Sequence, residues 1–259
     1  MKTIGVQLYT VRTILPKQPL ETLKELDGMG YNEVECIHDG LDKMWASLKE
    51  TGLRPVSMHL ESSLFGPSKA AELDVVIVDA KRRGFQYLVY PYVAPPERGG
   101  LDVMRTLAQT LNAAGTKCRD AGLRLCYHNH AFEFQPMEGT TPFEVLMQET
   151  KKDLVGLEMD VFWVSVAGHD PVEMLRRHAG RVALLHLKDK AQGTATQYNE
   201  SVPRTAFKEV GSGTLDFRAI LGAASSAGVQ HYFVEQDATP GDPLASLQKS
   251  YQYLHSLKF

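Results

Sequence analysis

Short apolar runs alternate along this chain with longer stretches whose apolar residues recur at helical spacing. The apolar runs lie at residues 4–9, 33–37, 55–59, 87–90, 124–128, 155–160, 182–188 and 231–235. Several are continuous rather than alternating, as expected of parallel strands covered on both faces. Between them, residues 20–29 carry Leu20, Leu23 and Leu26 at steps of three, and residues 41–51 carry Leu41, Met44, Trp45 and Leu48 at i, i+3, i+4 and i+7. Such spacing predicts helices with one apolar face, and 68–83, 101–121, 142–150, 171–178, 216–227 and 243–257 read the same way. Asp170-Pro171 and Asp242-Pro243 each set a capping residue before a proline at the first helical position. Gly28, Gly52, Gly84, Gly122 and Gly228 follow or close helical runs, where a left-handed cap is wanted.

Eight β-α repeats in 259 residues predict a single (β/α)8 barrel, with 1–259 as one domain. A doubly wound open sheet is the competing topology, but it usually advertises a glycine-rich phosphate loop after the first strand, and residues 8–17 contain no glycine. The longest polar stretch without helical character, 191–212, follows the seventh strand, and a connection of that length is usually functional or mobile.

Composition narrows the possibilities. With 43% hydrophobic and 23% charged residues the chain can build a large core. A net charge of −3 leaves no electrostatic footprint for nucleic acid or an anionic membrane surface. No apolar run approaches the length of a membrane span, and the start lacks the apolar core of a signal peptide. Three scattered cysteines, Cys36, Cys118 and Cys126, fit a reducing compartment, so a cytoplasmic protein is expected. A homo-oligomer is compatible with the sequence.

In such a barrel the site is built at the carboxyl ends of the strands. Here those ends read His59-Leu60-Glu61, then Tyr127-His128-Asn129-His130 with Glu133 beyond, Glu158-Met159-Asp160, His186-Leu187-Lys188-Asp189, and Glu235-Gln236-Asp237. Carboxylates and imidazoles converging from separate strands suit one divalent ion such as Mn²⁺, Co²⁺, Mg²⁺ or Zn²⁺. Taken singly, each has a plainer explanation. His186 reads as a core histidine bonded to a carbonyl, Asp160 as a cap on the turn after its strand, Lys188 as a rim lysine, and Asp189 and Asp237 as solvated loop charges. Glu235 follows Tyr232-Phe233-Val234, and a carboxylate at that strand mouth needs a cationic partner.

At these residues the chain resembles the sugar phosphate isomerase/epimerase superfamily, the xylose isomerase-like barrels that include ketose 3-epimerases, hydroxypyruvate isomerase and inosose dehydratase. The resemblance rests on the segments at 127–134, 157–163, 167–171, 186–189, 209–217 and 232–237, with 5–12 extending it to the first strand. It implies a divalent ion held by Asp160, His186 and Glu235, with Glu133 as the fourth ligand and His128 or His130 as the alternative. Trp163 departs from relatives that carry a histidine there, and implies stacking on a sugar ring.

The chemistry implied is removal of a proton next to a carbonyl, with the ion as Lewis acid for an enediolate. Glu235 and Glu133 are the candidate bases, and His128, His59 and His130 the candidate acids for a leaving oxygen. His59, His130, Trp163 and Lys188 are candidate contacts to a small sugar or sugar derivative. Isomerase or epimerase activity is the first expectation. A dehydratase or lyase acting on a keto-inositol or 3-keto-glycoside through the same metal site is the second. An endonuclease IV-like DNA repair enzyme would need a basic groove that 28 Lys+Arg against 31 Asp+Glu do not offer, and a non-catalytic sugar-binding barrel would be indifferent to loss of Asp160 or His186.

Overall fold

Continuous apolar strands need cover on both faces, and in the computed structural model, which describes residues 3–257, they find it by closing on themselves inside a ring of helices. The barrel strands are β1 (Gly5–Gln7), β2 (Glu33–Ile37), β3 (Arg54–His59), β4 (Tyr87–Tyr90), β5 (Arg124–His128), β6 (Val155–Asp160), β7 (Val182–Leu187) and, after a two-stranded ribbon, β10 (His231–Val234). They run parallel in chain order, and β10 pairs back to β1. The intervening helices are α1 (Pro19–Met29), α2 (Leu41–Leu48), α3 (Ala70–Arg83), α4 (Leu101–Asp120), α5 (Pro142–Glu149), α6 (Val161–Val166), α7 (Pro171–Arg177) and α8 (Phe217–Ala227), and α9 (Pro243–Leu257) closes the ring. This is a (β/α)8 barrel. Residues 1, 2, 258 and 259 of the expected domain lie outside the described residues.

Both Asp-Pro caps form: Asp170 Oδ1 accepts from the Val172 amide at 2.8 Å and Asp242 Oδ1 from the Leu244 amide at 3.0 Å. Gly84 and Gly228 close α3 and α8 with φ of 92° and 87°, where a side chain would be strained. Gly28 does not close α1; the helix runs through it and ends on Gly30. β1 is shorter than its apolar run because Gln7 Oε1 accepts the Tyr9 amide at 3.0 Å and turns residues 8–11 into a 3-10 helix.

The sequence pattern misses α6 altogether. All six of its residues are buried, so it has no polar face to give it a helical period. The stretch 191–212 is not without structure either. Asp189–Lys190 (β8) and Phe207–Lys208 (β9) form an antiparallel ribbon at its two ends. Asp189, expected as a solvated charge, is buried and accepts four backbone N–H groups: Lys190 and Leu215 on Oδ1, Gly211 and Gly213 on Oδ2.

The bulk of the core lies between strands and helices, while Val56, Val89, Cys126, Ala183, Leu184 and Phe233 form a separate buried cluster. Gly5 makes room for Phe233, since a Cβ there would meet the ring at 2.5 Å. Among the described residues, no helix is long and apolar enough to cross a membrane.

Candidate active site

Because side chains alternate along a strand, residues two apart share a face. Toward the carboxyl end of the barrel this periodicity stacks charged groups in pairs: Glu158 and Asp160 on β6, His186 and Lys188 on and after β7, Glu235 and Asp237 after β10. The register puts His128 opposite Glu158 and Asp160 opposite His186. Two sets of donors result, one above the other, with His186 common to both.

The outer set is His128, Asp160, His186 and Glu235, whose ligand atoms all lie within 4.8 Å of one another. His128 Nδ1 faces the Pro91 carbonyl at 3.1 Å, which leaves Nε2 aimed at Asp160 Oδ2, 3.4 Å away. Asp160 divides its carboxylate. Oδ1 accepts from the Phe162 and Trp163 amides at the start of α6, as the capping explanation expects, and Oδ2 turns to the site. His186 Nδ1 lies 2.8 Å from Glu235 Oε2. His128 Nε2, Asp160 Oδ2, His186 Nδ1 and Glu235 Oε2 are all buried, and none has a partner in hydrogen-bond geometry. Two imidazole nitrogens and two carboxylate oxygens converging in this condition fit a divalent cation.

Lys188 is no rim lysine. It is 2% exposed, and its ammonium sits 2.9 Å from Asp160 Oδ2, 2.6 Å from Glu235 Oε2 and 2.8 Å from Asp237 Oδ1. Asp237 is thereby paired rather than solvated. Burial favours neutral forms, yet the opposed charges outweigh it: the Asp160 and Glu235 carboxyls are held well below their ordinary range by Lys188 and the neighbouring histidines. Against the same burial, Asp160, Asp237 and Glu235 keep the Lys188 ammonium charged well above its ordinary range.

The inner set is Glu35, His59, Glu158 and His186. Its atoms are already bonded to each other: His186 Nε2 to Glu35 Oε1 at 2.6 Å, and His59 Nε2 to Glu158 Oε2 at 2.7 Å. Gln7 Nε2 donates to Glu35 Oε1 at 2.7 Å and the Ser57 hydroxyl donates to Oε2. Burial would lower the His59 pKa, but Glu35 and Glu158 push it up to about 10. Glu35 is absent from the sequence-derived candidates; its one signal is a charge, two residues after Glu33, inside a continuous buried run.

The structure does not bring Glu133 to either set. A 3-10 turn over Phe132–Phe134 points its carboxylate back into the wall, where Oε1 accepts from the Tyr127 hydroxyl at 2.8 Å and Oε2 from the His130 amide at 2.9 Å. Of the other candidates, His59, His128, His130, Trp163, Lys188 and Glu235 line one cavity of about 620 Å³, a size that suits a small molecule. Trp163 Nε1 and His130 Nδ1 are buried without hydrogen-bond partners, and their rings lie 5.5 Å apart. Burial, with His128 and Lys188 nearby, holds the His130 pKa well below its usual value, so its ring is neutral.

The family pattern described as the xylose isomerase-like TIM barrel matches residues 22–257. The chain belongs to this family. An inosose dehydratase of Clostridium perfringens is 28% identical over 160 residues, covering 58% of this chain and 53% of that protein. The chain thus spans about half the length of the curated relatives it matches. A sugar phosphate isomerase/epimerase from Parabacteroides distasonis superposes with a TM-score of 0.81 at 25% identity, over 98% of this chain and 94% of that one. The IOLI protein with a bound zinc atom superposes at 0.76 and 14% identity, over 99% and 98% of the two chains, a likeness of fold.

Proposed function

We propose that this chain is a divalent-metal-dependent isomerase or epimerase of a sugar or sugar derivative, acting by proton removal from carbon next to a carbonyl. The observation that carries this reading is the outer set of four buried donor atoms without hydrogen bonds, two of whose residues, His128 and Glu235, line the cavity. His128, Asp160, His186 and Glu235 would hold the ion; Mn²⁺, Co²⁺, Mg²⁺ and Zn²⁺ are the ions to compare. Bound there, it would supply a Lewis acid for the substrate carbonyl.

The chain's own groups do the rest. Glu235, kept ionised by Lys188 and His186, is the base. Lys188 carries a permanent charge toward any oxyanion that develops beside it. Trp163 offers a flat face for a sugar ring and an unpartnered N–H for one of its oxygens. With Glu133 outside the cavity lining, the neutral His130 imidazole, which does line it, is the group to exchange a proton at a second position.

That last feature, with the inosose dehydratase relatives, supports a second reading. A single carboxylate base that takes the C–H proton, beside an imidazole that picks up a proton and passes it to the departing oxygen, is also an arrangement for removal of water or an alcohol from a keto-inositol or 3-keto-glycoside. The test begins with metal content of protein purified without chelator, followed by ¹H NMR in D₂O over a panel of ketoses, an inosose and a 3-keto-glycoside. Deuterium entering next to the carbonyl supports proton abstraction. A rearranged product then assigns isomerase or epimerase, and an unsaturated one assigns the lyase. Glu235→Gln should slow exchange at least about 100-fold; retention within a few-fold would remove Glu235 from the role of base.

A further inference from the structure

The two overlapping donor sets differ in one respect that assigns them different tasks. In the outer set each ligand atom lacks a hydrogen bond; in the inner set His186 is bonded to Glu35 and His59 to Glu158, and Glu158 Oε1 alone is left without a hydrogen bond. The inner pairs are therefore held by one another, and His186 is the residue through which they meet the outer set. Its ring has two nitrogens, and Glu35 takes Nε2 while Nδ1 is left for the site.

From this geometry we infer that Glu35 is a positioning residue of the metal centre, fixing both the ring orientation and the tautomer of His186 so that Nδ1 offers its lone pair to the ion. The inference rests on the metal reading proposed above. A histidine free to rotate or to carry its proton on Nδ1 would lose affinity for a cation, and a carboxylate on the far nitrogen prevents both. Glu35 is itself immobilised. It is fully buried, and Gln7 from β1 and Ser57 from β3 each donate to it, so its oxygens have little freedom. His59 completes the clamp, with Nε2 3.1 Å from Glu35 Oε1 and its ring stacked on that of His186 at 5.5 Å and 12°. TIM-barrel interiors are ordinarily layers of branched apolar residues. A polar layer directly beneath a cation site is the departure that this role explains.

The test is metal affinity of the folded protein, measured by calorimetric titration of the apoprotein with Mn²⁺ and by the visible absorption of the Co²⁺ form. Glu35→Gln should weaken binding by about 10- to 100-fold and alter the Co²⁺ spectrum, with the circular dichroism of the fold retained. A variant that is less stable but binds as tightly as the wild type, with the same spectrum, would make Glu35 a purely structural residue and overturn the inference. If Glu35→Gln does not fold, Ser57→Ala decides, since it frees one Glu35 oxygen without stranding a charge. A several-fold loss of affinity supports positioning, and unchanged affinity overturns it. A wild-type protein that binds none of the four ions overturns the metal reading and this inference together, whereas tight binding by wild type and variant alike overturns this inference alone.

Discussion

Glu133 turns its carboxyl into the barrel wall, away from the cavity, and pays for burial with a raised affinity for its proton. Burial pushes the pKa up to about 8, against the lowering effect of the His130 amide and the Tyr127 hydroxyl. A folded-state value above the unfolded one, about 4.3, means that the folded chain holds the proton more tightly. The resulting stabilisation is complete below that unfolded value and is lost as pH rises through about 8. Glu133→Gln keeps the shape without the titration, so the melting temperature of the wild type should fall relative to the variant by several degrees between about pH 5 and pH 8. Parallel curves would mean that Glu133 is ionised throughout. The sequence shows that a carboxylate follows the fifth strand but not which way it faces, because that is decided by one turn of 3-10 helix and a tyrosine six residues back. Glu35 poses the converse problem: its position inside a buried run is visible, but its partner His186 lies 151 residues away.

Among the elements, the strand-and-helix alternation is almost fully legible, because parallel strands buried on both faces leave a pattern that local spacing records. What escapes is structure whose cause is tertiary. α6 hides because it is apolar all round, and the ribbon at 189–208 hides because its strands are two residues each and depend on a single side chain. Asp189 ties the connection shut at both ends, which keeps Phe207 at the cavity wall, stacked on Phe162 at 4.6 Å. Asp189→Ala removes the buried acceptor of four backbone N–H groups, and hydrogen bonds to a charged group contribute about 1.5–3 kcal/mol each, so a loss of at least about 2 kcal/mol in global stability is expected. Amide exchange should rise across 191–215 well before it rises in the barrel strands. Uniform acceleration throughout the chain would show that the loop is not a separate unit held by Asp189.

At the scale of the whole molecule, the four outer donors come from β5, β6, β7 and the end of β10, which are consecutive neighbours around the barrel. A cation held there bridges half of the wall, and the unfolded chain, with the same residues spread from position 128 to 235, has no equivalent site. Binding and folding are therefore linked. At a metal concentration of about 100 times the dissociation constant the linkage stabilises by about 2.7 kcal/mol, which for a chain of this size corresponds to about 5–10 °C in melting temperature. Chelator-treated and Mn²⁺-loaded wild type should differ by that amount. Asp160→Asn should abolish most of the difference, because it removes a ligand charge, whereas Glu133→Gln, which touches neither donor set, should retain it. If Asp160→Asn keeps the full shift, the ion binds elsewhere on the barrel, and the convergence of these four side chains serves the fold rather than a metal.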